Sequence, residues 1–246
     1  GTPITAYHYG SGAEDMVLIA GLHGAYSPNT TALAQELMTY YDANTSDIPE
    51  NVRLTIIPLV NPDGAEAVFG EPRVIDESGS YVVDPLPSLD TRVAGRFNAN
   101  DVDLNRNFDC EWQADGTWQS RTVSGGSAPF SEPEAQAIRD FITTINPVAV
   151  VTYYSAAGGV YASSCNNGVA SETIALTNLY AAGSGYNAFE EFDFYEITGD
   201  MVNWLAKNDI PAISVLLTDH ETTEFTKNRL GVDEVLTSLA ATDVTE

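Results

Sequence analysis

The sequence predicts an α/β domain built on a largely parallel sheet with helices on both faces. Three observations predict it. Residues 16–20, 52–59, 148–154 and 212–217 are short, almost wholly apolar runs, the pattern of strands buried on both sides. Segments of helical periodicity separate them, and strand–helix alternation is the signature of a parallel sheet. The 246 residues can supply one large core, and no repeat, low-complexity tract or linker divides them, so residues 1–246 read as a single domain.

The elements follow in chain order. Residues 4–9 alternate weakly and stop at Gly10, as an edge strand would. The run 16–20 ends at Gly21-Leu22-His23-Gly24, a turn at a strand's carboxyl end. Asn29 or Thr30 can cap a helix through Tyr41, with Leu33 and Leu37 on one face. The strand 52–59 runs into Asn61-Pro62-Asp63-Gly64, a turn signal. Residues 65–100 carry Pro, Gly and Asp throughout and read as a long functional loop. Ser131-Glu132-Pro133-Glu134 has the form of a capping box, opening a helix that Asn146-Pro147 stops. Residues 171–182, 200–207 and 224–240 read as further helices. Sites in such sheets lie beyond the carboxyl ends of the strands. His23, Asn61, Tyr154 and Thr218 fall at or just after such ends.

Charge narrows the function. Thirty-five acidic residues against ten basic ones give a formal net charge of −25. Nucleic-acid binding rests on basic contacts to phosphate, and anionic membrane surfaces attract the same residues, so neither partner is expected. No apolar run reaches transmembrane length. The two cysteines, Cys110 and Cys165, are expected to form one disulfide, which with the composition predicts an extracellular or secreted setting. No signal peptide is read at Gly1, and a monomer is expected.

Arg106 between Asn105 and Asn107 is the most telling local pattern. A guanidinium with adjacent amides can hold a carboxylate in two-pronged fashion; the same pattern serves equally as a structural ion pair.

The wider order of motifs gives context. Gly-Leu-His-Gly-Ala-Tyr is followed by Asn-Pro-Asp-Gly, then by Gly-Arg-Phe-Asn-Ala-Asn-Asp-Val-Asp-Leu-Asn-Arg-Asn-Phe-Asp. Ser-Glu-Pro-Glu-Ala, Tyr-Ser-Ala-Ala-Gly-Gly, Ile-Thr-Gly-Asp and Ile-Pro-Ala-Ile-Ser-Val come after. From residue 3 to 239 the chain resembles the M14 zinc carboxypeptidases, in particular bacterial members whose first zinc motif reads His-Gly-Gly-Tyr-Glu. The resemblance implies a three-layer sandwich around a mixed, mostly parallel sheet of about eight strands. It also implies removal of C-terminal residues from peptides by a zinc ion held by two histidines and a glutamate. Three protein ligands leave a fourth position for water, which a further glutamate deprotonates.

Carried over residue by residue, the pattern splits. His23 matches the first zinc histidine. The glutamate ligand falls at Ser27, or at Tyr26 on a shorter spacing; the second histidine falls at Tyr154 and the catalytic glutamate at Leu216. The binding residues stand. Asn105 and Arg106 match the pair that grips the substrate's terminal carboxylate, and Arg96 the arginine that polarises the scissile carbonyl. Tyr195 matches the mobile tyrosine over bound substrate, and Val202 falls near the floor of the side-chain pocket, implying an apolar preference.

Leucine cannot take a proton, serine is a poor zinc ligand, and tyrosine ligates only as a phenolate, costly from a pKa near 10. The expectation is therefore a carboxypeptidase-like protein that binds no zinc, has no peptidase activity and retains a pocket for peptide C-terminal or small carboxylates. The alternative is an active metallocarboxypeptidase with non-standard ligands, drawn from Asp63, Asp219 or His220. A serine hydrolase using Ser27 or Ser155 would need an oriented base and an oxyanion hole, and neither serine lies in a nucleophile-elbow pattern.

Overall fold

The computed structural model describes residues 2–242; Gly1 and residues 243–246, the two ends of the predicted domain, lie outside the described residues. The chain runs β1 (Tyr7–Tyr9), β2 (Glu14–Ile19), α1 (Pro28–Ala43), β3 (Val52–Ile57), α2 (Pro62–Phe69), α3 (Leu89–Arg92), β4 (Asp115–Trp118), β5 (Arg121–Ser124), α4 (Pro133–Ile145), β6 (Ala149–Ser155), β7 (Gly159–Ala162), α5 (Ser171–Ser184), β8 (Ala188–Phe189), α6 (Met201–Lys207), β9 (Ala212–Leu217) and α7 (Phe225–Thr242).

The four apolar runs become adjacent parallel strands, β3, β2, β6 and β9, at the centre of a seven-stranded sheet ordered β1-β3-β2-β6-β9-β7-β8. Antiparallel β1 and β7 flank this parallel centre, and β8 pairs parallel with β7 at the far edge. Each central strand sends alternate side chains to opposite faces. Met16 and Leu18 of β2 join Leu33, Leu37, Tyr180 and Val232 under α1, α5 and α7. Val17 and Ile19 join Phe108, Ile138, Ile142 and Leu205 under α4 and α6. Burial on both faces is why these strands carry no polar alternation. The mixed, mostly parallel sheet matches the expected architecture, with seven strands rather than about eight. The hairpin β4–β5 forms a separate two-stranded sheet, tied through Ser124 to Val102 by an isolated parallel bridge.

Three local readings change. Asn61-Pro62-Asp63-Gly64 starts a helix instead of a turn: the Asn61 side chain accepts from Gly64 N at 2.8 Å, and Pro62 opens α2. An Asx side chain followed by proline suits a helix N-cap as well as a turn. The 65–100 stretch therefore begins inside α2 and later contains α3, with irregular chain between them. The capping box before α4 does not close: Glu132 is the N-cap without a side-chain bond, and Glu134 turns away to Asn98. Among the described residues no helix is long and apolar enough to cross a membrane.

Chain order runs from β2 to β3 on one side and returns through β6 to β9 on the other. The crevice at that reversal lies beyond the carboxyl ends of β2, β6 and β9, the position where sheets of this kind bind ligands.

Candidate functional site

A cavity of about 830 Å³ opens there, lined among others by His23, Arg96, Asn105, Tyr154, Tyr195, Asp200, Val202 and Leu216. His23 reaches it from the turn after β2. Gly24, at φ +42°, lets that turn approach the 93–96 segment: a Cβ on it would lie 2.8 Å from the Gly95 carbonyl. Tyr154 and Leu216 are register partners on β6 and β9 and form the strand-end floor.

His23 is buried, with a charged group near each ring nitrogen. Its Nδ1 lies 3.3 Å from an Arg96 guanidinium nitrogen. Its Nε2 lies 3.3 Å from Asp103 Oδ1, an electrostatic contact without the alignment of a full hydrogen bond. Arg96 in turn donates from Nε to Asp103 Oδ2 at 2.8 Å and rests against the Trp118 ring, 4.4 Å from its centroid. Burial, and then the Arg96 charge, hold the His23 pKa down at about 4, so the ring is neutral at physiological pH. Burial alone would raise the Asp103 carboxyl; Arg96 and His23 hold it well below the usual carboxylate range.

The other zinc-family positions offer little to a metal. Ser27 is buried at the start of α1 with an unpartnered hydroxyl. Tyr154 donates its hydroxyl to Asn105 Oδ1 at 3.0 Å, not to His23, whose ring it faces at 5.6 Å between centroids. Burial, then the Asp200 charge, push its phenol well above 10, away from the phenolate a metal would need. Leu216 has no donor atom. The alternative ligands do not assemble either. His220 enters the cavity against Tyr26, but Asp219 binds its own loop through Glu221 N and Thr222 N, and Asp63 faces Ala99 N. Among the described residues no three His, Cys, Asp or Glu side chains are grouped to hold a metal ion. The residues present therefore do not fit a zinc centre. Nor, among the described residues, does either predicted serine pair with a histidine: the Ser155 hydroxyl bonds to Asn29 Oδ1, and the Ser27 hydroxyl is buried without a partner.

The binding residues are split by the fold. Asn105, Arg96, Tyr195 and Val202 line the cavity, whereas Arg106 is fully buried behind it. The Arg106 guanidinium donates to the Thr117 carbonyl through Nε at 3.1 Å and Nη2 at 2.7 Å, and to the Asn105 carbonyl at 2.6 Å. The hairpin β4–β5 supplies Thr117, and its emergence from the 115–124 stretch is what closes Arg106 off. Asn105 Oδ1 also accepts from Met201 N at 3.2 Å, tying this turn to α6. Gly199, at φ +66°, permits the same juncture, since a Cβ there would come within 2.4 Å of the Arg106 carbonyl. Cys110 and Cys165 are joined by a disulfide, with Cα atoms 6.0 Å apart, bracing the turn against the segment after β7.

Sequence reasoning gave no role to three features. Asp103 joins His23 to Arg96. Trp118 covers Arg96. The aromatic and acidic run of residues 190–196 forms one wall of the cavity. Only the last had a visible signal, in its dense alternation of rings and carboxylates.

Comparison with known proteins places the site in a family. Over 151 residues the chain is 28% identical to murein peptide amidase A from Escherichia coli K12, covering 57% of this chain and 49% of that one. Over 119 residues it is 32% identical to a zinc carboxypeptidase from Simulium vittatum, covering 47% and 35%. The chain thus spans less than half the length of these curated relatives. Among solved structures, murein-tripeptide amidase from Escherichia coli O157 superposes with a TM-score of 0.60 at 20% identity, over 96% of this chain and 92% of that one. Bovine thrombin-activatable fibrinolysis inhibitor superposes at 0.72 and 16%, over 98% and 87%. Both likenesses are of fold. The family model for zinc carboxypeptidase, peptidase M14, matches residues 4–229, and the chain belongs to that family.

Proposed function

We propose that this protein is a non-hydrolytic member of its family, a binding protein whose cavity receives the C-terminal ends of peptides, and that zinc binding and peptidase activity have been lost. One observation carries this reading: the Arg96 guanidinium lies 3.3 Å from His23 Nδ1, so a fixed positive charge already occupies one side of the ring, while the Nε2 side faces the Asp103 carboxylate at 3.3 Å. Ser27, Tyr154 and Leu216 supply no compensating ligand or base. A buried arginine thus brings the positive charge to the histidine that the family gives to a metal.

Peptide ends remain the class of ligand because the cavity is large and keeps polar groups at its inner end. Asn105 and Arg96 line it and are the groups that would meet a terminal carboxylate, with Tyr195 at the wall. The Cys110–Cys165 disulfide supports an extracellular setting, since such bonds persist in oxidising compartments. The test is metal analysis after dialysis against zinc, beside a C-terminal cleavage assay and calorimetric titration with peptides. The expected result is no retained zinc, no cleavage and measurable peptide binding. Stoichiometric zinc with chelator-sensitive cleavage would overturn the proposal.

A further inference from the structure

Arg106 is a buried cation without a counter-ion. It is fully buried, and among the described residues it forms no ion pair. Its guanidinium donates to neutral main-chain carbonyls, Thr117 through Nε and Nη2 and Asn105 through Nη1. Asp103 and Asp200 feel its charge, yet Asp103 bonds to Arg96 and Asp200 to Asn203 N. An unpaired charge is costly to bury, and a neutral acceptor offsets that cost less than a carboxylate does.

The hairpin β4–β5 stands between this cation and the cavity, which Trp118 and Gln119 line. Its Thr117 carbonyl takes the Nε and Nη2 edge of Arg106, the paired-donor face that suits a carboxylate. Gly116 makes that approach possible: a Cβ there would lie 2.8 Å from Arg106 Cδ and 3.1 Å from Cγ. Among the described residues β4, which carries Gly116 and Thr117, has no strand partner except β5. β5 is tied to the domain at its far end, by the Val102–Ser124 bridge and by Asp103 N donating to the Ser124 carbonyl at 2.9 Å. Trp118 holds the other end down, edge-on to Tyr26 at 5.1 Å and with Arg96 over its ring at 4.4 Å.

We propose that the hairpin is an autoinhibitory plug: the Thr117 carbonyl stands in for a ligand carboxylate on Arg106, and a peptide's terminal carboxylate binds in full only when β4 moves off that guanidinium. This rests on the reading of the cavity as a site for peptide ends and adds control of access to it. A carboxylate on the same edge brings the attraction of opposite charges, which is strong in a water-poor interior. That attraction favours the open form, and the packing of Trp118 opposes it. A ligand shifts such an equilibrium only by its differential affinity for the two forms, and the closed fraction lowers the affinity observed.

The test is hydrogen exchange on the full chain with a matched pair of ligands, N-acetyl-trialanine as the free acid and as the C-terminal amide. At saturation the acid should speed exchange in residues 115–118 at least about threefold, and the amide should not. Gly116→Ala adds a methyl that displaces β4 from Arg106. By calorimetry it should raise the acid's affinity at least about fivefold and change the amide's by less than about twofold. Arg106→Lys in that background should erase the gain, since lysine keeps the charge and loses the paired donors. Unchanged exchange in residues 115–118 under saturating acid, or a folded Gly116→Ala variant with no gain specific to the acid, overturns the plug and leaves the peptide-end reading standing. No binding of either ligand by parent or variant overturns both.

Discussion

The floor and the side wall of the cavity differ in how their polar groups are satisfied, and each is closed in its own way. At the ends of β6 and β9, Leu216 offers no polar atom and Tyr154 spends its hydroxyl on Asn105. On the wall the polar side chains stand, but they satisfy one another. Arg96 is bound to Asp103 and His23, and Arg106 to the Thr117 and Asn105 carbonyls. On the reading proposed above, the floor lost its chemistry by substitution. The wall kept its residues, yet Arg106 lies fully buried behind the cavity it would be expected to serve. A retained side chain is therefore not a retained contact. Removing a buried, hydrogen-bonded arginine is costly whatever its former role.

The largest effect should come from rebuilding the floor. Ser27→Glu/Tyr154→His/Leu216→Glu restores two ligands and a base beside His23, and stoichiometric zinc should then survive dialysis where the parent retains none. Metal analysis reads the outcome. If the triple variant stays metal-free, Arg96 against His23, and not the missing ligands, is what bars the metal, and the wall rather than the floor closed the site.

The next effect tests the wall. Asp103→Ala leaves Arg96 buried without its carboxylate, and urea unfolding should show a loss of about 3–5 kcal/mol. The pH dependence has a definite sign. The folded Asp103 carboxyl lies below its unfolded value, so its contribution is present above the unfolded pKa and fades only in strong acid, as pH falls toward the folded value. A loss under about 1 kcal/mol would mean that the Arg96–Asp103 pair does not hold the wall together.

The contrast also explains what was legible in the sequence. The four central strands were, because burial on both faces leaves an unbroken apolar run. So was the disulfide. The closure of Arg106 was not, since it depends on the β4–β5 hairpin, whose Trp118-Gln119-Ser120-Arg121 turn carries no glycine signal and positions a main-chain carbonyl at Thr117. Nor was the engagement of His23. The contacts of His23 with Arg96 and Asp103 join residues far apart in the chain, and no local spacing announces them. Asn61-Pro62 misled because cap and turn share their chemistry.

Asp200 gives the third effect. Burial pushes its pKa up to about 6, with Arg106 opposing from the wall and Tyr154 adjacent on the floor. A raised folded pKa means the group's stabilising contribution is complete below the unfolded value near 4 and is lost as pH rises through 6. Asp200→Asn keeps a capping oxygen and removes that loss. The variant should match the parent near pH 4 and exceed it by up to about 3 kcal/mol at pH 7, read from denaturant midpoints at each pH. A constant difference would show that the carboxyl is not charged at a stability cost.

The smallest effect separates floor from wall most finely. Tyr154→Phe removes only the hydroxyl that reaches Asn105, whose Oδ1 still accepts from Met201 N at 3.2 Å. With its acceptor still partnered, the loss should be about 1 kcal/mol, the net worth of one neutral hydrogen bond. A loss of about 3 kcal/mol or more, seen by thermal melting or urea unfolding, would mean that Tyr154 locks the floor to the Asn105–Arg106 turn. The tyrosine would then be the brace that holds the closed wall in place, not a filler of a vacated ligand position. Because β6 carries Tyr154 in register with Leu216, that outcome would make the two replacements on the floor a cause of the closure seen on the wall.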